Sequence, residues 1–347
     1  MIKMCDLPRY ADVDMEEIRK MRDAHVVLNE VTYEPKALYR GYTDRRLTIN
    51  VSDNSVNIYE IPQEVKDKFV GGKGYCLRYL WDATNENTRW DSPENEIVMS
   101  AGPIAGVTQY GGTGKTLVCT ISPMTDIPID SNVGGFFGPY LKFAGFDMIE
   151  LAGRAEKDVV IFIDGNKGII RIEEAPLEHM DSHVLGEELT AMYAEDENDK
   201  KNIAVVCTGS AAEHCNLSML NFTFYDPKRN VVRLKQAGRG GIGRVFRNKH
   251  IKAVVCRFKG TKANLNNVYD FGLINKTGLR FHREMATLDD SQNAMRKVGT
   301  AYSLELLSAY DILPTHNYKF GGTPDVKNMG PEVFREKWLT QGGADGC

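Results

Sequence analysis

A glycine-rich stretch at residues 111–145, GGTGKTLVCTISPMTDIPIDSNVGGFFGPYLKFAG, constrains the fold of this 347-residue chain more than any other segment. Glycine turns flank a β-branched run, and the second turn opens directly into an aromatic, amphipathic segment typical of a helix. Glycines such as Gly111, Gly112 and Gly134 permit positive φ angles and close approach of a ligand to the backbone. Since exposed N–H groups in such turns form anion-binding concavities, the stretch predicts a phosphorylated or otherwise anionic ligand.

Alternating runs in the rest of the chain predict an α+β fold. LTINVS and SVNIYEI flank the turn-forming pair Asp53-Asn54, which favours a β-hairpin that begins near residue 46. Other runs predict strands at 96–101, 115–121, 148–151, 159–164, 168–173, 203–206 and 251–258, and helices near 15–22, 74–82, 136–143 and 184–194.

The pattern changes after about Lys262, where β-branched runs give way to helical spacing. That spacing occurs in residues 267–309 and 331–339 and predicts a helical second unit. A chain of this length can hold two units, because single cores seldom grow past roughly 250–300 residues. We therefore expect a polar N-terminal arm (1–40), a β-rich domain (41–260) and the start of a helical domain (261–347).

Charge and composition exclude several classes of function. A formal net charge of −4 and a pI near 6.0 argue against nucleic acid as the main partner, because such proteins carry a basic surface. The sequence has no stretch of about 18 apolar residues and no apolar core near its start, so we expect no membrane segment and no secretory signal. These observations predict a cytoplasmic protein.

The seven cysteines are odd in number and irregularly spaced, which does not suggest a secreted disulfide framework. Cys119, Cys207 and Cys256 lie inside apolar runs and are expected to be buried thiols that act as small hydrophobic groups. Cys347 differs, because it is the last residue of the sequence and follows the turn-like GGAD. A CxxC partner for Cys347 would have to come after it.

Two familiar phosphate-binding motifs are matched only in part. Gly114-Lys115-Thr116 resembles the end of a P-loop, but the glycine required five residues earlier is Gln109, and the following run is strand-like rather than helical. GRGGIG at 238–243 satisfies GxGxxG, yet no acidic residue that could bind a ribose occurs between Asp226 and Asp270. The NTPase and dinucleotide interpretations are therefore disfavoured.

Four glycine-rich or polar segments remain to be explained: GGKG (71–74), GTGK (112–115), SNVGG (131–135) and KQAGRGG (235–241). One nucleotide would not need four such loops, whereas a large cofactor with several phosphates would. The alternative interpretation is that they are ordinary tight turns of a β-rich domain, with solvated lysines beside them.

Three segments, taken in order, resemble a known family: SPENEIVMSAGPIAG (92–106), ISPMTDIPIDSNVGGFFGPYLKFAGFDMIELAGRAEKDVVIFI (121–163) and AGRGGIGRVFRNKHIKAVV (237–255). They resemble the N-terminal domain of the tungsten-containing aldehyde:ferredoxin oxidoreductases, and the resemblance extends from about Gly41 to the C-terminus. It implies a β-rich, pterin-cradling domain followed by the start of a helical domain.

The resemblance also implies three cofactors: a tungsten (or molybdenum) bis-pyranopterin, a magnesium ion that bridges its phosphates, and a [4Fe-4S] cluster. The implied cofactor-binding residues are Lys115, Asn132, Val133, Gly134, Lys235, Gln236, Ala237 and Gly238. Asn132 and Gln236 take the places of residues whose backbone carbonyls bind magnesium, a cation that prefers hard oxygen ligands. Lys115 and Lys235 stand where the family has arginines, so the positive charge is kept and the bidentate fork is lost.

Cys347 resembles the first cysteine of the family's cluster motif. Because a cluster needs four such thiolates, the resemblance implies that a second chain or a missing C-terminal segment completes the site. The implied reaction oxidises an aldehyde to a carboxylate, with ferredoxin or an iron–sulfur subunit as electron partner. The alternatives are an aryl-CoA reductase-type relative and a non-catalytic scaffold subunit, and no catalytic residue is identified within this sequence.

Overall fold

Two mixed β-sheets dominate the first of the two units into which the chain divides. The structure is a computed structural model that describes residues 14–227, 229–289 and 293–338. The first unit extends to Phe271, and the second begins at Gly272. Within the described ranges, no helix has both the length and the apolar composition needed to cross a membrane.

The strands of the first unit are β1 (Val26–Thr32), β2 (Arg45–Asn50), β3 (Ser55–Glu60), β4 (Ile97–Ser100), β5 (Thr116–Ile121), β6 (Pro128–Val133), β7 (Met148–Ala152), β8 (Val159–Asp164), β9 (Ile169–Glu174), β10 (Ile203–Cys207), β11 (Leu220–Asp226), β12 (Val231–Ala237) and β13 (Ile251–Arg257). Its helices are α1 (Met15–Ala24), α2 (Gln63–Phe69), α3 (Lys73–Ala83), α4 (Phe137–Phe143), α5 (Ser182–Tyr193) and α6 (Ile242–Asn248). The smaller sheet has the order β3-β2-β7-β4-β5-β6, and the larger has the order β1-β9-β8-β13-β10-β11-β12. Neighbouring strands are antiparallel, except that β2 pairs with β7 and β8 with β13 in parallel.

The two sheets share one hydrophobic core. Side chains from both sheets, such as Ile49 and Val206, pack in it together with Phe137 of α4 and Phe246 of α6. Helix α3 covers the other face of the smaller sheet, and α5 covers the other face of the larger one. This layering brings the strands β6 and β12, which end the two sheets, into contact with each other.

The described part of the second unit is mainly helical. Its helices are α7 (Phe271–Ala286), α8 (Ala294–Val298), α9 (Leu304–Ala309) and α10 (Pro331–Val333), with 3₁₀ turns at Gly299–Ser303 and Pro324–Asn328 and a π turn at Phe334–Trp338. Helical spacing predicted helices in these parts of the sequence, and the α+β class with a later helical region is confirmed. Residues 339–347 lie outside the described residues, as do residues 1–13 of the predicted arm.

The predicted hairpin is confirmed, because β2 and β3 pair with Asn50 opposite Ser55 and Asn54 has a φ of 57° in the turn. The predicted loops at 131–135 and 235–241 are partly wrong, since their first residues belong to β6 and β12. Both strands lie at sheet edges, where polar side chains at exposed positions interrupt the apolar run that marks a buried strand. Strands β1 and β11 were not predicted either, and β1 falls inside the segment predicted to be a polar arm.

A buried polar cluster ties the N-terminal segment to the larger sheet. His25, which follows α1, contacts a carboxylate with each ring nitrogen, Nδ1 at 2.8 Å from Glu173 Oε2 and Nε2 against Glu178. Glu173 also accepts hydrogen bonds from Tyr193 Oη at 2.6 Å and from Arg22. The side chains of His25 and both glutamates are almost completely buried, so the segment after α1 is held by an internal network of charges.

Stability should depend on pH through this cluster. Burial opposes the charged form of His25, but its two carboxylate partners outweigh burial and raise its pKa above 6.5. The His25 contribution is therefore complete below pH 6.5 and is lost as pH rises through the raised pKa. Burial opposes ionisation of Glu173 too, yet His25, Arg22 and Tyr193 lower its pKa from 4.5 to about 2, so its contribution is lost as pH falls from 4.5 towards that value.

We therefore expect the free energy of unfolding supplied by the cluster to be greatest between pH 4.5 and 6.5. Urea unfolding measured across the pH range checks this expectation. The variant His25→Gln should lose the decline on the alkaline side. If that variant shows the same decrease in stability as pH rises, the decrease arises from another titrating group.

Candidate functional site

The four glycine-rich or polar segments lie against one another in the first unit. We call them the cradle: residues 71–74, 112–115, 131–135 and 235–241. A Cβ atom built on Gly72 would lie 3.8 Å from Leu117 Cδ2, and Leu117 is opposite Asn132 in the β5–β6 ladder. Lys73 Nζ donates to Asp130 Oδ1 at 2.8 Å. The turn that begins α3 therefore packs beside the β5–β6 hairpin.

Strand β12 and the residues that follow it contact strand β6 and the residues that follow it. A Cβ built on Gly134 would lie 3.7 Å from Lys235 Cγ, which is an ordinary contact distance. The backbone N–H of Arg239 donates to Ser131 Oγ at 3.2 Å. Segments 131–135 and 235–241 therefore form one continuous surface.

Segment 112–115 completes the cradle. A Cβ on Gly114 would come within 2.6 Å of the Gly135 carbonyl oxygen, so only glycine allows this approach. The next residue but one, Thr116, begins β5 opposite Val133. Lys115 is thereby held at the start of β5, where its side chain is exposed.

The backbone of Asn132 faces the free edge of the smaller sheet. Ser122 N donates to the Ile127 carbonyl oxygen at 3.0 Å, which defines a hydrogen-bonded pair of the β5–β6 hairpin. Hydrogen-bonded and non-hydrogen-bonded pairs alternate along an antiparallel ladder. The pair of Leu117 and Asn132 is five positions further along the same unbroken register and is therefore of the non-hydrogen-bonded type. The N–H and C=O groups of Asn132 consequently point away from β5.

The backbone of Gln236 faces the free edge of the larger sheet by the same reasoning. Val232 N donates to Glu187 Oε1 at 2.8 Å and so points away from β11. Gln236 follows four residues later in an unbroken register, and its N–H and C=O groups share that direction. Because β6 and β12 are in contact, two main-chain carbonyls lie on adjacent sheet edges, and such hard oxygen donors suit magnesium.

The cradle is basic. With Asp130 beside them, its segments hold four cationic side chains against one carboxylate: Lys73, Lys115, Lys235 and Arg239. The hydrogen bond that Lys73 donates to Asp130 raises the pKa of Lys73, which keeps that ammonium charged. Lys235 Nζ lies 6.0 Å from the centre of the Phe224 ring. Positive charge beside open glycine backbone is suited to an anionic ligand that carries several charges.

The predicted cofactor-binding residues differ in how exposed they are to solvent. Those with exposed side chains or backbone are Lys115, Asn132, Gln236 and Gly238, and Gly134 and Lys235 are half-buried. The side chains of Val133 and Ala237 are buried in the core that the two sheets share, so only their backbone atoms can face a ligand. Cys347 lies outside the described residues.

The described ranges contain no group of three or more His, Cys, Asp or Glu side chains that could hold a metal ion. Backbone carbonyl oxygens can also bind a metal ion. The carbonyls of Asn132 and Gln236 are of this kind.

Sequence reasoning missed the contacts of two polar residues at or beside the cradle. Asp130 forms the ion pair with Lys73, and Lys142 of α4 donates a hydrogen bond from its buried Nζ to the Gly102 carbonyl oxygen. The available signal for Lys142 was a single lysine within the otherwise apolar helix FGPYLKF. Such a lysine usually reaches solvent with its charged end, whereas this one is 1% exposed.

A cavity of about 720 Å³ adjoins segment 112–115. Aromatic side chains of Phe136, Tyr140 and Phe143 line one side of it, and polar groups that include Asn202 and Lys259 line another. Gly114 belongs both to the cavity wall and to the cradle. The cradle therefore lies next to a space large enough for a small molecule.

Residues 46–258, more than half of the chain, match the family described as the N-terminal domain of aldehyde ferredoxin oxidoreductase. The chain belongs to this family, and the predicted resemblance is confirmed. It is 28% identical over 304 residues to the tungsten-containing aldehyde ferredoxin oxidoreductase of Pyrococcus furiosus, and the alignment covers 87% of this chain and 47% of that protein. The Pyrococcus horikoshii protein with the same description is 29% identical over 87% of this chain and 46% of its own length.

A third relative, the WOR-like subunit of the aliphatic sulfonate oxidoreductase of Pyrococcus furiosus, is 27% identical over 66% of this chain and 36% of its own length. Among solved structures, the active site complex BamBC of benzoyl coenzyme A reductase, in complex with 1,5 dienoyl-CoA, is similar with a TM-score of 0.63 and 24% identity. That likeness covers 88% of this chain and 45% of the other and concerns the fold alone. The chain thus spans about half the length of the curated relatives that it matches.

Proposed function

We propose that this chain is the cofactor-cradling part of a tungsten bis-pterin, iron–sulfur oxidoreductase that oxidises aldehydes to carboxylates with ferredoxin as electron acceptor. Membership of the family and the tungsten-containing relatives support the cofactor class. The observation that carries the proposal is the convergence of four separate segments on one basic, glycine-lined surface.

The residues present fit the anionic and magnesium-binding parts of such a cofactor. Lys115 and Lys235 supply charge for phosphate groups, as compact ammonium ions rather than planar guanidinium forks. The carbonyls of Asn132 and Gln236 on adjacent sheet edges offer magnesium the hard oxygen donors that it prefers. A half-buried glycine at position 134 leaves room for a ligand to approach the backbone.

When bound, the metallated pterin would supply the two-electron redox chemistry, with the cluster passing electrons one at a time. The chain's own residues would bind and orient this group. Lys115 and Lys235 would hold its phosphates. The glycines of the cradle would set how closely the backbone approaches it, and the shared core beneath β6 and β12 would keep the two edges at a fixed separation.

Further ligands would have to come from outside the described residues. We propose that a second chain, or a further segment of the protein, supplies the remaining cluster cysteines beside Cys347, together with the catalytic groups. One relative is described as a subunit, and a solved structure of similar fold is described as an active site complex, which supports the proposal of a partner chain. We propose ferredoxin or an iron–sulfur subunit as the electron partner.

Metal and pterin analysis tests this function. Protein purified together with the chains that copurify should contain tungsten or molybdenum, magnesium and iron at near-stoichiometric levels, measured by plasma mass spectrometry, and pterin detected by fluorescence after oxidation. Protein from cells grown without tungsten or molybdenum serves as the control. Metal-free, pterin-free protein from metal-replete cells would favour a scaffold subunit and overturn the proposal.

The substrate class is tested separately with aldehydes and a viologen dye as artificial electron acceptor. Dye reduction that requires both an aldehyde and the metal-loaded preparation is the expected result. If the loaded preparation reduces aromatic thioesters and leaves aldehydes unchanged, the aryl-CoA reductase alternative replaces aldehyde oxidation while the cofactor assignment stands.

A further inference from the structure

Lys142 is a buried cation that forms no ion pair among the described residues. Its side chain is 1% exposed, and its Nζ donates to the carbonyl oxygen of Gly102. The charged group that acts on it is Asp147, whose carboxylate accepts the backbone N–H groups of Thr43 at 3.0 Å and Asp44 at 2.8 Å. No carboxylate in the described ranges forms an ion pair with Lys142, so the ammonium ion has spare donors.

This arrangement is costly for a purely structural residue. An ammonium group carries three N–H donors, and removing it from water costs much more than a single hydrogen bond to a carbonyl returns. A methionine of similar volume would fill the same space without that cost. Asp147 supplies one negative charge nearby, but it is itself 2% exposed and its carboxylate is held by two backbone amides rather than by Lys142. A second anion close to Lys142 would therefore lower the cost of keeping this lysine charged.

Gly102 connects Lys142 to the cradle. A Cβ on Gly71 would lie 3.5 Å from Gly102 Cα, and a Cβ on Gly72 would lie 3.8 Å from Gly102 N. A Cβ built on Gly102 itself would meet no described heavy atom within 4 Å. The Gly102 peptide therefore has the buried ammonium on one side, the turn at 71–74 beside it, and open space where a side chain would be.

We propose that Lys142 is a positioning residue of the cradle, which fixes the Gly102 peptide from within the core and whose charge favours a polyanion bound on the open side. Lys142 acts through Gly102 and does not touch the ligand. This inference rests on the proposed function, because the polyanion that it invokes is the phosphate-bearing ligand proposed there.

The chain offers a matched control in Lys249. This lysine is 2% exposed, and its Nζ donates to the carbonyl oxygens of Gly153 at 3.0 Å and Pro93 at 3.4 Å. Burial lowers the pKa of both lysines to about 8. Pro93 precedes β4 and Gly102 follows it, so Lys249 lies at the opposite end of this strand from the cradle.

The test is calorimetric titration of magnesium pyrophosphate into the full 347-residue chain as wild type, Lys142→Met and Lys249→Met. Near neutral pH we expect Lys142→Met to bind on the order of tenfold more weakly than wild type. The variant Lys249→Met should match wild type. Circular dichroism and urea unfolding establish that each variant is folded.

The pH profile separates a charged role from a packing role. Both proteins are measured in identical buffers, so that the ionisation of pyrophosphate affects both affinities equally. The ratio of the affinity of wild type to that of Lys142→Met should then decrease as pH rises through about 8. The variant Lys142→Arg, which stays charged, should keep high affinity over the same range. The ratio of the affinity of wild type to that of Lys249→Met should stay constant over this range.

Equal binding by wild type and a folded Lys142→Met would overturn the inference and leave the proposed function in place. If Lys142→Met does not fold, Lys142→Arg carries the test: the affinity of wild type should fall relative to that of Lys142→Arg as pH rises through about 8, and a constant ratio of the two affinities counts against a charged role. If wild type itself does not bind magnesium pyrophosphate, both the inference and the proposed phosphate cradle fail.

Discussion

Replacing Glu173 with glutamine is expected to lower the free energy of unfolding by about 3–5 kcal/mol. The change keeps the size of the side chain but removes the carboxylate that contacts His25, Arg22 and Tyr193 inside the larger sheet. His25 would then keep Glu178 as its one carboxylate partner in the cluster, and Arg22 would lose its ion pair with Glu173. Removing one member of a buried charge pair costs more than the pair itself contributes, because the remaining charge stays desolvated.

The adjacent residue provides the control for this prediction. Glu174 follows Glu173 on β9, its side chain is 22% exposed, and it pairs with Lys157 at 2.9 Å. Glu174→Gln removes the same charge one position away and should cost less than about 1 kcal/mol. Urea unfolding at pH 6 gives both values, and limited proteolysis should cut Glu173→Gln first in the segment before β1. If the two substitutions lower the free energy of unfolding by the same amount, burial of the cluster adds nothing to the cost of removing the charge.

Replacing Lys115 and Lys235 together with alanine is expected to weaken binding of magnesium pyrophosphate on the order of a hundredfold. Each lysine is proposed to contact a phosphate, and hydrogen bonds to charged groups contribute about 1.5–3 kcal/mol each. The wild-type affinity should also fall as salt is added, since the exposed part of this attraction is screened. Calorimetric titration at two salt concentrations measures both effects.

A double variant with the same change in net charge is the control. Lys157 and Lys167 are exposed, pair with Glu174 and Glu195, and flank β8, which lies four strands away from β12 in the larger sheet. Alanine at both positions should leave the affinity within about twofold of wild type, because the attraction of a distant exposed charge is small. If the control weakens binding as much as the cradle variant does, the lysines act only through overall charge, and direct phosphate contacts are excluded.

The buried parts of the fold could be predicted from the sequence because their patterns are local. The run TLVCTI predicts β5, and the alternation around Asp53-Asn54 predicts the β2–β3 hairpin, since turn residues and apolar periodicity act over a few neighbours. Strands β6 and β12 could not be predicted in this way. Their sequences PIDSNV and VVRLKQA mix polar with apolar residues, and only the assembled sheets show that each forms an edge.

Part of the candidate site could also be predicted from the sequence, because part of it depends on local composition. Glycine-rich composition marks Gly114 and Gly134 as points of close backbone approach without any knowledge of tertiary structure. The role of Lys142 depends instead on where its side chain ends, and a lysine in an apolar helix looks the same in sequence whether its ammonium reaches water or a buried carbonyl. The backbone directions of Asn132 and Gln236 depend on strand register, which a one-residue shift would reverse.

The side-by-side edges β6 and β12 also bear on how the protein is produced in the cell. Unpaired strand edges offer their amide and carbonyl groups to other polypeptides and so promote aggregation. A ligand that spans both edges would shield them and, by binding only the folded form, would stabilise it through mass action. Cofactor supply would then control the amount of folded protein in the cell. Chains that never receive the ligand would keep exposed strand edges and would be lost to aggregation or proteolysis.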